Sequence, residues 1–445
     1  MNIKNISPKQ IEIIDLTKLG ELEGKEIKLQ GVIHRLRILP NVTFCILRLE
    51  RSLIQVVAEQ QHDLSKFIEG DFVEITGIVR SSKLNDRAIL NKNYEISLVT
   101  INLIHRPKEL PPFEINKKEL NIKPDLEFDM RPISLRHPKK RAIFKISETI
   151  ANSFASFLEL NGFTRIFSPK IVFAGAEGGA NIFKIQYFDK MAYLAQSPQF
   201  YKQYGVGIFG RVYDIGPVFR AEKHNTTRHI NEYISLDFEM GFISSFEDVM
   251  ALETAYLKYL IEQLKEKNSF EIDLLEITLP TFNDFIPSIK LKDAHEIVFK
   301  EIKKDYRNEP DLSPDEEKFL TQWSKKEYNS EFLFITHFPT SKRPFYTMDD
   351  PENPGETLSF DLLFRGLEIT TGGQRIHDYD MQYNKIVSFG LNPSDFESFL
   401  QLHKYGVPPH GGLAIGLERL TARICGIENI KEASMYPRDI NRITP

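Results

Sequence analysis

In the stretch FRAEKHNTTRHINEYISLDFEM, residues 219–240, six polar side chains recur at the two-residue period of a β-strand: His229, Asn231, Tyr233, Ser235, Asp237 and Glu239. The opposite side carries Ile230, Ile234, Leu236, Phe238 and Met240, interrupted by Arg228 and Glu232. The preceding VYDIGPVFRAE repeats the pattern, with Asp214, Arg220 and Glu222 facing away from Tyr213, Ile215, Phe219 and Ala221, and KHNTT reads as the hairpin loop between them. A ribbon with one solvated face is the plain account. Solvated faces, however, usually carry interchangeable Lys, Glu, Thr and Ser, whereas this one gathers Arg, Glu, His, Tyr and Asp, types that bind phosphates, metals and rings.

Two further stretches could join it. In LSFDLLFRGLEITTGGQR, Phe360, Leu362 and Phe364 alternate inward and Asp361 faces the other way. Arg365-Gly366 can act as a bulge or tight turn, after which Glu368 and Thr370 could return to the Asp361 face, where two carboxylates can hold Mg2+ bridging phosphates. A solvated edge is the competing account. GGLAIGLERL is a glycine-punctuated strand running into a helix, which allows close approach of a ligand to backbone and puts Arg419 at the helix start; it is equally compatible with turn chemistry alone. The chain has neither a GK[ST] phosphate loop nor a GxGxxG fingerprint.

The elements that must position these residues fall into two regions. The chain has 445 residues, 41% of them hydrophobic, enough for two domains with cores of their own. Cys45 and Cys425 lie far apart, which argues against a disulfide framework or a cysteine metal site and fits a reducing compartment. The start MNIKNISPKQIEIIDL lacks the marks of a signal peptide, and no apolar run approaches the ~18 residues of a membrane span, so a soluble cytoplasmic protein is expected. A net charge of −5 argues against coating of nucleic acid by bulk electrostatics but allows local basic patches, such as Arg136, Lys139, Lys140, Arg141 and Lys145, which a solvated helix start explains as well.

Residues 26–105 read as five short strands with a helical insertion, HDLSKFIEG, before the fourth, the pattern of a small OB-type barrel. The Pro-rich stretch 107–136 reads as a hinge, which gives a barrel domain over 1–106 and a second domain over 137–445. In the latter, IFKISETIANSFASFLELNGF is an amphipathic helix with Ile143, Ile146, Ile150, Phe154, Phe157 and Leu158 on its apolar face, ended by Asn161-Gly162, and TRIFSPKIVF is a strand. Residues 244–335 look helical and charged, with nothing that suggests chemistry.

In chain order these segments resemble the three signature motifs of class II aminoacyl-tRNA synthetases: the helix with TRIFSPKI and Pro169 (about 145–170), FRAE…RHINEY (about 212–240) and GLAIGLERL (about 411–425). AEGGANIF, LAQSPQFYKQ, FRAEKHNTTRH, DLLFRGLEITTGGQR, YGVPPHGGLAIGLERL and YPRDINRITP are similar, in order, to the aspartyl-tRNA synthetase family of archaeal and eukaryotic type, without the bacterial insertion. The resemblance implies an α+β fold, with an OB barrel that binds the anticodon and a catalytic antiparallel sheet flanked by helices. It implies ATP and Mg2+, L-aspartate and tRNA(Asp) as partners, and a homodimer built on the first motif.

Carried over by position, the resemblance implies that Arg220, Glu222 and Arg419 are catalytic. It implies ATP contacts by Arg220, Glu222, Arg228, His229, Ile230, Tyr233, Glu368, Gly416 and Arg419, with Tyr233 where the family has an adenine-stacking Phe. It implies Mg2+ held at Asp361, Glu368 and Thr371, and aspartate held by Glu177, Gln196, Gln199, Lys202, Arg220, Thr371 and Arg375. In the barrel it implies anticodon contacts by His34, Phe44, Gln55 and Asn85. Departures are Arg165, where the family commonly has an acidic residue, and the irregular DMRPISLR. His34 stands where strict family members have Trp and members that also charge tRNA(Asn) have His, whereas Asn85 matches neither the Lys of the one kind nor the Pro of the other.

Three alternatives remain open: an asparaginyl-tRNA synthetase, which Lys202 argues against because an ammonium pairs poorly with a neutral amide; a relative that activates aspartate for amide synthesis, which would lack the barrel; and a catalytically inactive RNA-binding protein, against which the set Arg220, Glu222, Asp361, Glu368 and Arg419 speaks.

Overall fold

Inward residues at every second position close the first strands into a barrel. β1 (Glu26–Ile38), β2 (Val42–Arg48), β3 (Leu53–Glu59), β4 (Phe72–Ser81) and β5 (Tyr94–His105) pair in the closed order β1-β2-β3-β5-β4 in the computed structural model, which describes residues 14–173 and 181–445. Cys45, Leu47, Ile54, Val56, Val73, Ile75, Ile96 and Leu98 fill the interior. The β1–β2 register pairs Ile33 with Leu47 and Arg35 with Ile46, so His34 is the extra residue of a bulge.

The expected helical insertion is absent. Residues 60–71 form successive turns: the Ile68 N–H goes to the Asp71 carboxylate at 3.0 Å and the Phe67 N–H to the Leu64 carbonyl at 3.0 Å, bonds of a turn in place of the i→i−4 ladder of an α-helix. A 3₁₀ helix over Leu16–Leu22, capped by Asp15, adds Leu19 to the barrel core. Beyond the barrel, α1 (Pro124–Asp129) and α2 (Arg131–Ser134) are tied together by the buried Arg131, which donates to Glu127 at 2.6 Å. The basic run is internally neutralised: Lys139 pairs with Glu119 at 2.5 Å, Lys140 with Glu127 at 2.9 Å and Lys145 with Glu148 at 2.9 Å.

Contacts divide the chain into two units, Met1–Ala142 and Ile143–Pro445. The division falls within α3 (Pro138–Leu160), whose Ile143, Ile146, Ile150, Phe154, Phe157 and Leu158 are all buried at the helical period. Gly162, at φ 77, ends it, and the Phe163 N–H returns to the Leu158 carbonyl at 3.0 Å.

The expected single strand over TRIFSPKIVF is two short ones, β6 (Thr164–Arg165) and β7 (Ile171–Val172). Pro169 between them has no N–H for a ladder, and the segment crosses from one sheet to another. β7 belongs to a small sheet with β8 (Lys184–Tyr187) and β9 (Lys190–Leu194). Next come α4 (Gln199–Phe209), β10 (Arg211–Phe219), β11 (Glu232–Gly241), α5 (Glu247–Lys267), α6 (Ser269–Leu275), β12 (Ser288–Lys290), α7 (Leu291–Ile302), α8 (Pro314–Tyr328) and β13 (Phe332–Thr336). The chain continues through β14 (Ser359–Phe364), β15 (Leu367–Arg375), α9 (Tyr379–Ser388), α10 (Glu397–Tyr405), β16 (His410–Gly416) and α11 (Leu417–Ile424).

The main sheet runs β12-β13-β14-β15-β16-β11-β10-β6, antiparallel except at its two ends, β12–β13 and β10–β6. One face is sealed by α3 and α5, where Phe154 meets Tyr213, Phe238 and Tyr256 with ring centroids 5.2–6.4 Å apart. The core therefore takes Leu236, Phe238 and Met240 from β11 and leaves the polar side of that strand facing away.

Candidate active site

β14 and β15 are joined by Arg365-Gly366, both at positive φ (46 and 79), the conformation that a two-residue hairpin turn requires. Their register pairs Leu363 with Glu368 but Leu362 with Thr370, so Ile369 is an extra residue. Its insertion brings Glu368 and Thr371, three positions apart, onto one face, where the Thr371 hydroxyl donates to Glu368 at 3.1 Å. Asp361 is the ladder partner of Thr371 and lines the same cavity. Thr370, expected on this face, instead turns into the core and donates to the buried Glu253 of α5 at 2.6 Å.

The polar face of β11, the β14–β15 hairpin and the start of α11 line an open cleft of about 740 Å³, its solvent-filled mouth included. Its walls include Arg220, Glu222, Arg228, His229, Ile230, Tyr233, Glu368, Gly416 and Arg419, which are all nine residues of the expected ATP set. Arg220 stacks 5.8 Å from the Tyr233 ring centroid, and Arg419 donates to the Glu368 carbonyl at 2.9 Å and lies 3.3 Å from its carboxylate. His229 stands 3.6 Å from Glu222 and is kept below its ordinary pKa by burial, against the pull of Glu222. Three guanidinium groups and the N-terminus of α11 thus face one space, an environment suited to a polyphosphate.

A second cavity of about 1530 Å³ shares Arg220, Tyr233, Ser235, Glu368 and Thr371 with the first and adds Gln196, Gln199, Asp237, Asp361 and Arg375. At its inner end Arg375 donates to Glu239 at 2.8 Å and to the Gly412 carbonyl at 3.0 Å. Burial works against ionisation of Glu239, but Arg375 and Lys202 outweigh it and hold the carboxyl below its ordinary value. A Cβ on Gly412 would collide with the Phe238 carbonyl and the Glu239 carboxylate, so only glycine leaves room for this packing.

Lys202 is not in the cavity wall. It is 1% exposed and donates to the Leu413 carbonyl at 3.0 Å while pairing with Asp237 at 2.8 Å and Glu239 at 3.5 Å. Glu177 lies outside the described residues.

The two expected metal carboxylates are unequal. Burial, and then the charge of Glu368, push Asp361 up despite the Arg343 guanidinium 2.8 Å away, whereas Arg419 and Arg343 overcome burial and keep Glu368 low. Asp361 Oδ1 is buried without a hydrogen bond of good geometry. A divalent cation fits such a pair, because its charge would offset the burial and the Glu368 repulsion that raise Asp361. Among the described residues no group of three or more acidic, His or Cys side chains forms a cage, so phosphate oxygens and water would complete the coordination.

Several neighbours went unnoticed in the sequence. Asp237 and Ser235 were visible on the polar face of β11 but received no role. Asn231 donates to the carbonyls of Arg220 at 2.6 Å and Glu222 at 2.9 Å, shaping the loop before β11. Arg343 comes from a segment with no periodic pattern. The region 244–335, read as chemically silent, supplies Glu253 and also Glu317 of α8, whose carboxylate accepts from Arg228 and from the Glu368 N–H.

In the barrel, Phe44 and Gln55 lie outside the core and half-buried on adjacent strands, since Phe44 pairs with Val57 and Ile46 with Gln55. Gln55 donates to Glu95 at 2.7 Å. Asn85 is exposed. His34 faces neither solvent nor an open surface: it is 6% exposed, and burial together with Arg48 pushes its pKa down to about 3, which keeps it neutral.

A catalytic sheet of this topology, with arginines from the β10–β11 loop and from α11 meeting over two carboxylates, is the arrangement of a class II synthetase. Residues 123–440 match the family of class II tRNA synthetases for D, K and N, and the chain belongs to it. It is 42% identical over 433 residues to the aspartate–tRNA(Asp/Asn) ligase of Deinococcus radiodurans, covering 96% of this chain and 98% of that one. To the aspartate–tRNA(Asp) ligase of Pyrococcus abyssi it is 36% identical over 436 residues, with 96% and 97% covered. Among solved structures it is similar to the asparaginyl-tRNA synthetase of Pyrococcus horikoshii complexed with asparaginyl-adenylate, at 30% identity and a TM-score of 0.87, covering 98% of this chain and 100% of that one.

Proposed function

We propose that the chain joins L-aspartate to tRNA(Asp), and to tRNA(Asn) as well, through an aspartyl-adenylate made from ATP. The observation that carries the choice of aspartate is Arg375 at the inner end of the larger cavity, with the Lys202 ammonium buried directly beneath Asp237. The Arg375 guanidinium at that end suits a side-chain carboxylate and gains nothing from a neutral amide, and Lys202 adds its charge from behind the wall, through Asp237 and Glu239. Asp237, facing the same cavity, suits the substrate ammonium.

The α-carboxylate of aspartate attacks the α-phosphorus of ATP, forming one P–O bond as the bond to the leaving pyrophosphate breaks. Arg220 neutralises the five-coordinate centre, and Arg419 and Arg228 hold the departing phosphates. Tyr233 and Arg419 sandwich the adenine. Mg2+ held by Asp361 and Glu368, with the Thr371 hydroxyl beside them, would supply further charge neutralisation to the phosphates. A ribose hydroxyl of the tRNA then attacks the acyl carbon, AMP leaves, and the hydroxyl proton is released. No side-chain nucleophile is needed.

The outer strand face around Phe44 and Gln55 would take the anticodon. The exposed Phe167 and Phe173, on either side of Pro169, support a homodimer built on that segment. No helix among the described residues is long and apolar enough to cross a membrane, in keeping with action in the cytoplasm. Relaxed tRNA choice rests on the higher identity to a ligase named for both tRNAs; the buried His34 gives it only indirect support, since its ring would have to move to meet a base.

Exchange of labelled pyrophosphate into ATP tests the reading. Aspartate should drive it and asparagine should not; exchange driven equally by asparagine would overturn the assignment.

A further inference from the structure

Glu317 sits in the first turn of α8, and that turn is fixed at its base. Ser313 and Glu316 form a reciprocal cap, with the Ser313 N–H on the Glu316 carboxylate at 2.9 Å, and the other oxygen of Glu316 meets the buried His295 at 2.7 Å. From this platform Glu317, 6% exposed, takes the Arg228 Nη2 on both carboxylate oxygens, at 2.5 and 2.6 Å. It also accepts the backbone N–H of Glu368 at 2.8 Å. The loop carrying Arg228 has other anchors, Ile430 on the Thr227 carbonyl at 3.0 Å and Lys431 on Asn225 at 2.5 Å, but these hold residues 225–227. Among the described residues, Glu317 is what fixes the Arg228 side chain, and it does so through one nitrogen, which leaves Nε and Nη1 to a ligand in the cavity that Arg228 lines.

We propose that Glu317 is a positioning residue for the nucleotide: it aims the Arg228 guanidinium at the outer phosphates and, through the Glu368 N–H, sets the start of the strand that carries a metal-binding carboxylate. A single side chain from the helical region between β11 and β14 would thereby connect two walls of the phosphate site. This rests on the reading that ATP occupies that cavity. A flexible arginine would lose rotamer entropy on meeting a phosphate; one already held loses less, so the gain should appear in ATP affinity and leave aspartate untouched.

The test is steady-state pyrophosphate exchange with Glu317→Gln, Arg228→Ala and the double variant, alongside thermal melting. Glu317→Gln should raise KM for ATP about tenfold while KM for aspartate stays within about twofold. Arg228→Ala should do the same, and adding Glu317→Gln to it should change KM for ATP by less than about twofold more, as expected of residues acting as one unit. Glu317→Asp, which keeps the charge, should recover part of the loss. The inference is overturned if Arg228→Ala leaves KM for ATP unchanged, an outcome that does not depend on Glu317→Gln folding. It is also overturned if the two effects multiply, or if both substrates suffer alike. Wild type that exchanges with a different amino acid would sink the choice of aspartate alone, and leave this comparison standing with that amino acid.

Discussion

The Lys202 ammonium lies 2.8 Å from Asp237 and 3.5 Å from Glu239, and all three side chains are closed off from solvent. Removing the lysine therefore does two things. It leaves Asp237 and Glu239 as two buried carboxylates, of which Glu239 keeps Arg375, a loss on the order of 3–5 kcal/mol of stability. It also takes positive charge from behind the place where the substrate carboxylate is held, so Lys202→Leu should shrink the preference for aspartate over asparagine by at most roughly one to two powers of ten, the worth of one charge-assisted hydrogen bond of about 1.5–3 kcal/mol. Exchange assays with both amino acids measure the ratio, and a variant with full preference for aspartate would show that Lys202 has no part in it.

Burial pushes Glu253 from an ordinary 4.5 up to about 8, opposed only by the hydrogen bond from Thr370. Between those values the unfolded chain ionises at this position while the native protein keeps its proton. Stability from Glu253 is thus fully present below about pH 4.5 and falls, by at most about 1.36 kcal/mol per pH unit, as pH rises through 8. Glu253→Gln keeps an acceptor for Thr370 and abolishes the slope. Its stability relative to wild type should increase from pH 5 to pH 8, as read by urea unfolding at the two values; a constant difference would mean that Glu253 is ionised in the native state.

Phe44 is offered on the outer face of the barrel, not in its core. Phe44→Ala should weaken tRNA charging by about 1–3 kcal/mol, the worth of one stacked base, and leave pyrophosphate exchange intact. Loss of both activities would instead point to a role in folding.

Purified tRNA(Asn) and tRNA(Asp) should accept aspartate with efficiencies within about a hundredfold, that is within about 2.7 kcal/mol. A larger gap would make the enzyme strict, and would agree with a His34 that stays inside its bulge.

In sedimentation at micromolar concentration the protein should run at twice the mass of its chain, and Phe167→Asp should shift it toward the monomer, because an exposed aromatic in an obligate interface does not tolerate a charge. A monomer in wild type would remove the proposed interface.

Much of this site could be read directly from residue order. The polar side of β11, the turn at Arg365-Gly366 and the strand-to-helix passage at Gly416 follow from local periodicity and glycine placement, and the structure has all three. What could not be read depends on irregularity or on distance along the chain. Nothing in LEITT marks Ile369 as the extra residue, so alternation put Thr370 where Thr371 stands. TRIFSPKIVF has strand composition, but its two ends serve different sheets. Arg343 and Glu317 arrive from segments whose own patterns speak only of loop and helix. His34 alternates outward on paper, and a bulge turns it in.

The hairpin between Asp361 and Glu368 works as a ruler. Its two-residue turn sets Glu368 across from Leu363, on the Asp361 side, and the bulge that follows at Ile369 adds Thr371 to that face, so a residue gained or lost between the two acids would send one of them to the opposite face while the strands could still pair. Substitutions in that stretch can be absorbed one contact at a time. A change in its length cannot, and relatives that handle phosphates in this way should vary there in composition far more than in residue count.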